Sequence, residues 1–94
     1  MLPAMALSLS LSLFGGNNEV AELAYQTGNK LFEDGKHEAA LGQYLECLRL
    51  VKDHQDALFN GGLAAYLAGK LEKAVELWER LRELKPNEDR KSVV

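Results

Sequence analysis

Much is missing from this 94-residue chain, and each absence narrows what it can do. One cysteine, Cys47, rules out an intrachain disulfide and leaves no Cys spacing for a metal. Only two histidines occur, His37 and His54, 17 apart and without a Cys or third His at ligand spacing. Basic charge is scarce too. Eleven Lys and Arg stand against 14 Asp and Glu, for a net charge of -3, so the basic stripe that reads nucleic-acid phosphates is lacking. No phosphate loop, dinucleotide fingerprint or paired nucleophile and base is found. Glu33 and Asp34 beside His37 read as partners of a helix dipole rather than as an acid-base cluster. The chain is expected to be non-enzymatic and to carry no cofactor or metal.

The first 18 residues contain no charged side chain. Leu7, Leu9, Leu11 and Leu13 alternate with Ser8, Ser10 and Ser12, a period of two. Three readings compete. A signal peptide would need a basic n-region, but no Lys or Arg precedes Lys30. A membrane span would need about 20 apolar residues, more than the run supplies. The reading taken is a flexible or strand-forming tail over residues 1–18, whose free edges would pair with another chain. A cytoplasmic location follows, with export or envelope association as the alternative if residues 1–16 act as a signal.

What is present is helical. From Glu19 onward the chain reads as four short amphipathic helices: about Glu19 to Asp34, His37 to Val51, Gln55 to Ala68 and Leu71 to Leu84. Asn17 or Asn18 is placed to cap the first, and Gly35 and Gly69 turn the chain between helices. Val20, Leu23, Ala24, Thr27 and Leu31 form the expected inner stripe of the first helix. Ala40, Tyr44, Cys47, Leu48 and Val51 form that of the second, where Gly42 is a weak point. The third turns Leu58, Gly61, Gly62 and Ala65 inward, the fourth Ala74, Trp78, Leu81 and Leu84. Trp78 is expected to be the buried anchor of its repeat. Pro86 stops the last helix, and 87–94 reads as the start of a capping helix or a further repeat.

The helices repeat. At an offset of 34 residues Gly28 pairs with Gly62, Gly35 with Gly69, Lys36 with Lys70, Glu38 with Glu72, Ala40 with Ala74 and Leu50 with Leu84. Tyr25/Phe59, Phe32/Tyr66 and Tyr44/Trp78 match aromatic for aromatic. The pattern resembles the tetratricopeptide (TPR) family, with repeat 1 at about 21–54, repeat 2 at about 55–88 and the domain at 19–86. The resemblance implies an all-α fold of two helix-turn-helix units stacked as a short right-handed solenoid, preceded by a non-helical tail. It departs from the family where Ala24 and Leu58 replace the tryptophan and Lys52 replaces the proline ending the first repeat.

The resemblance further implies a concave groove, lined by the first helix of each repeat, that binds a peptide or partner helix. Its lining would be Glu22, Tyr25, Asn29, Phe32 and Glu33, then Asp56, Phe59, Asn60, Leu63, Tyr66 and Leu67. Such a groove suits an apolar, aromatic or basic protein partner better than an acidic one. Asn29 and Asn60 match two positions of the carboxylate clamp found in some relatives, but Tyr25 stands where the clamp needs lysine. The same aromatics fit a second use, packing against a neighbouring chain. Two repeats are fewer than the three or so usually needed for a stable stack, so a homo-oligomer is expected, a dimer first. Leu77, Leu81, Leu84, Val93 and Val94 would form an open apolar end face.

Overall fold

The fold is taken from a computed structural model, which describes residues 16–84. Four α-helices account for most of them: α1 (Gly16–Glu33), α2 (His37–Leu50), α3 (Gln55–Leu67) and α4 (Leu71–Leu84). No strand occurs among the described residues. Each helix packs on the next, and α1 also touches α3. Residues 1–15 and 85–94 lie outside the described residues, and with them the Leu/Ser pattern, the Pro86 stop, the 87–94 cap and Val93 and Val94.

The two turns within the helix pairs are copies of one another. The Gly35 amide donates to the Phe32 carbonyl at 3.0 Å and the Lys36 amide to Leu31 at 2.9 Å. Thirty-four residues on, Gly69 donates to Tyr66 at 3.1 Å and Lys70 to Ala65 at 2.8 Å. Both are Schellman caps, which satisfy the last carbonyls of a helix only if the residue after it is left-handed. Gly35 and Gly69 have φ of 80° and 82°, a region that costs glycine nothing.

The connection from α2 to α3 uses a different device. His54 is the N-cap of α3, its Nδ1 accepting from the Ala57 amide at 3.1 Å. A free helix N-terminus has amides without partners, and this bond satisfies one of them.

The core lies between the helices and is made largely of small residues. Ala21 and Ala24 on α1, Ala57, Ala64 and Ala65 on α3, and Ala74 on α4 are buried beside Leu41, Tyr44, Cys47, Leu48, Leu58 and Leu77. Gly28 and Gly62 explain the spacing. A Cβ on Gly28 would stand 2.7 Å from Cε1 of Tyr44, and one on Gly62 would collide with the Trp78 indole. In each repeat an aromatic ring of the second helix therefore fills the space beside a glycine of the first.

Several sequence expectations change. The first helix already includes Gly16, so Asn17 and Asn18 lie within it rather than capping it, and residues 16–18 are helical. Ala24 is buried and Leu31 packs partly buried on the core, as expected, and Ala21 and Gly28 are buried beside them, while Val20 and Leu23 are exposed at 45% and 62% and Thr27 is exposed. Close approach of Tyr44 leaves no room for a side chain at Gly28. On α4 Ala74 is buried as expected and so is Leu77, expected at an open end face; Trp78 is only partly buried, and Leu84 is exposed. On α2 the stripe holds for Ala40, Tyr44, Cys47 and Leu48, with Leu41 added, while Val51 is the extended, partly buried residue after the helix.

Candidate partner-binding groove

Four side chains that hold α1 to α2 and α3 form the floor of the site. Tyr44, from α2, reaches between the other two helices and donates its hydroxyl to Asn29 Oδ1 at 2.6 Å. Asn60, from α3, donates Nδ2 to the Tyr25 hydroxyl at 3.1 Å and to Asn29 Oδ1 at 3.3 Å. Tyr25 stacks at a tilt on Tyr44, with centroids 5.8 Å apart, and on His54 at 4.9 Å. The His54 Nε2 lies 3.4 Å from Glu22 Oε1, so one imidazole caps α3 and reaches α1 at once. A hydrogen-bonded network of this kind fixes one relative position of its helices.

Above this floor a cavity of about 270 Å³ opens, lined by Asn29, Phe32, Glu33, Tyr44, Asn60 and Leu63. Five of these were expected in the groove from sequence, and they arrive from both repeats. Tyr25 sits behind them through Asn60, and Glu22 beside them through His54. Asp56, Phe59 and Leu67 do not line the cavity, but they lie on α3 and are exposed, Phe59 at 53%. Tyr66 is exposed at 54% and faces Trp78 on α4, with ring centroids 6.3 Å apart. The Trp78 indole itself donates to the Phe59 carbonyl at 3.2 Å.

Two groove members were not visible in sequence. Tyr44 reads as a core residue of α2 and His54 as part of a connector. Their roles arise from contacts across 15 and 32 residues. For His54 one local signal existed: it stands three residues before Ala57, the amide it caps.

The electrostatics of the groove are one-sided. Glu22, Glu33 and Asp56 are its charged residues, and none of the eleven expected lining positions is Lys or Arg. Burial pushes the Tyr44 phenol up to about 12, with the neighbouring Tyr25 and Glu33 adding to the shift and the Asn60 side chain opposing it. Tyr44 thus remains a protonated donor to Asn29. Burial, and after it the Glu22 carboxylate, raises the Cys47 thiol to about 11. A fully covered thiol held in that form is a packing residue, not a nucleophile.

Among the described residues no three His, Cys, Asp or Glu side chains are placed to hold a metal ion. No described helix is long and apolar enough to cross a membrane. No family model matches the chain, and no curated protein does.

Proposed function

We propose that this chain is a two-repeat tetratricopeptide-like module that binds a protein segment in the groove between α1 and α3. The occupant is a peptide or helix carrying apolar side chains next to Lys or Arg. The observation that supports this reading is the cavity that joins Phe32 and Glu33 of one repeat to Asn60 and Leu63 of the other over the buried Tyr44. Its floor is already fixed by the Asn29, Tyr44 and Asn60 hydrogen bonds, so binding need not order it. The amide groups of Asn29 Nδ2 and Asn60 Oδ1 are left for a peptide backbone. Apolar contact comes from Phe32, Leu63 and the exposed Phe59, and selection for positive charge from Glu22, Glu33 and Asp56. Stacking as a right-handed solenoid, a non-enzymatic role and a cytoplasmic location belong to the same proposal; the 34-residue copy of the glycine turns supports the first.

The test is selection of random displayed peptides on the full chain. Enriched sequences should combine Lys or Arg with an aromatic or aliphatic residue. Their affinity should fall at least about tenfold, or about 1.4 kcal/mol, on Phe59→Ala or Glu33→Lys. Both positions are exposed, so the fold is expected to survive. Failure to enrich any sequence, or enriched peptides that bind both variants unchanged, would overturn the reading.

A further inference from the structure

The joint between the repeats has two sides, and each side recurs, largely exposed, at an opposite end of the described fold, with only Trp78 and Leu31 partly buried there. Within the molecule α2 supplies one side through Leu41, Tyr44 and Leu48, all 4% exposed or less. The other side is α3, through Ala57, Gly61 and Ala65; a Cβ on Gly61 would stand 3.3 Å from that of Tyr44.

Thirty-four residues after the α2 set come Val75, Trp78 and Arg82 on α4. Val75 is 52% exposed where Leu41 is 4%. Thirty-four residues before the α3 set come Leu23, Thr27 and Leu31 on α1. Leu23 is 62% exposed where Ala57 is 0%. Alongside them lie further exposed apolar residues, Leu71 at 56% on α4 and Val20 at 45% on α1. Apolar area of this kind, on an edge rather than scattered, marks a contact surface.

We infer that the open face of α4 in one copy packs on the open face of α1 in another, repeating head to tail the α2–α3 joint inside each copy. Bulk is exchanged across the new joint. Inside, a large Leu41 is on the α2 side and a small Ala57 on the α3 side; outside, the smaller Val75 is on α4 and the larger Leu23 on α1. The chain's own sequence after α4 does not repeat the α3 face, because Lys91 and Ser92 stand at the positions of Ala57 and Leu58. Repeat arrays are held by nearest-neighbour joints of one kind, and a second copy offers on its α1 the face that such a joint with α4 would use. The contact uses two different surfaces and is heterologous, so it grows with concentration instead of closing at a two-fold pair. It is separate from peptide capture, and either can fail alone.

Three full-length chains test it: the natural sequence, Leu23→Lys and Val75→Lys. Both positions are exposed, and circular dichroism checks that both variants keep their helices. Molar mass is measured by sedimentation from about 10 µM to about 1 mM, the range in which contacts of modest size associate. The natural chain should pass beyond twice the monomer mass as concentration rises, and each variant alone should remain a monomer. An equal mixture of the variants should form a dimer that grows no further, because each supplies the one sound face the other lacks, while the two spoiled faces repel. A natural chain that stays monomeric throughout, as it would if its own terminal residues covered either face, overturns the inference. So does association that survives Leu23→Lys, the mark of α4 pairing with α4, or a mixture that stays monomeric.

Discussion

Gly28 with Tyr44 and Gly62 with Trp78 are the same contact made twice, yet the two aromatics end in different surroundings. In each, a ring from the second helix of a pair lies on a glycine of the first. Tyr44 is 1% exposed, because α3 closes over it and ties its hydroxyl through Asn29 to Asn60. Trp78 is only partly buried, since no described helix follows α4 as α3 follows α2. The local pair is written in the repeat, whereas burial is set by what stacks next.

Truncation should separate the two most strongly. Tyr44→Ala is expected to cost about 3–5 kcal/mol, from the lost ring and from the bond its hydroxyl gives to Asn29. Trp78→Ala should cost less, about 2 kcal/mol, since part of the indole already meets water. Urea unfolding of both variants measures the difference, and an equal or larger loss at Trp78 would break the comparison. Adding a methyl tests the contact that the two share. Gly28→Ala drives a Cβ into a ring that α3 holds in place and should cost about 1–3 kcal/mol. Gly62→Ala drives a Cβ into the Trp78 indole, which its bond to the Phe59 carbonyl holds in place, and should destabilise by a similar amount. Gly42 is the control: it is exposed in mid-helix with open space around it, and Gly42→Ala should stabilise by up to about 1 kcal/mol.

Alkali probes the covered repeat alone. The Tyr44 phenol is raised from 10 to about 12, so between these values the native chain keeps a proton that the unfolded chain has lost. Its contribution is present in full below pH 10 and is lost as pH rises toward 12. Cys47, raised from 9.0 to about 11, acts in the same direction over its own window. Urea midpoints should therefore fall from pH 9 upward, and Tyr44→Phe should flatten the part above pH 10. A midpoint that does not change over this range would mean that neither group is held in its neutral form by the fold.

The elements themselves were legible in the sequence. Gly35 and Gly69 fix where the first and third helices stop, and α4 is helical over Leu71–Leu84, as its apolar period predicts. The inner face of α1 was legible only in part. Ala24 is buried and Leu31 packs on the core as the stripe predicts, but Val20, Leu23 and Thr27 are exposed and Ala21 and Gly28 are buried instead, Gly28 because the contact with Tyr44 is too close for a side chain. Trp78 misled for a related reason: its size predicts an anchor, while its burial depends on a neighbour that the local pattern does not contain. The aromatic and asparagine positions around the cavity could be placed by counting. The bonds that join them through Tyr44 and His54 could not, because nothing in the spacing of 44 or 54 indicates a partner on another helix.

Unequal cover of two equal repeats is tested most directly at positions 41 and 75, which correspond at the 34-residue offset and hold Leu and Val. The measurement is the unfolding free energy in urea of Leu41→Ala and Val75→Ala, at a concentration low enough to keep the chain monomeric. Leu41→Ala should lose about 2–5 kcal/mol, as a fully covered leucine does. Val75→Ala, on an open face, should stay within about 0.5 kcal/mol of the natural chain. Losses of the same size at both positions would show that the second repeat is covered as the first is, and would contradict the account.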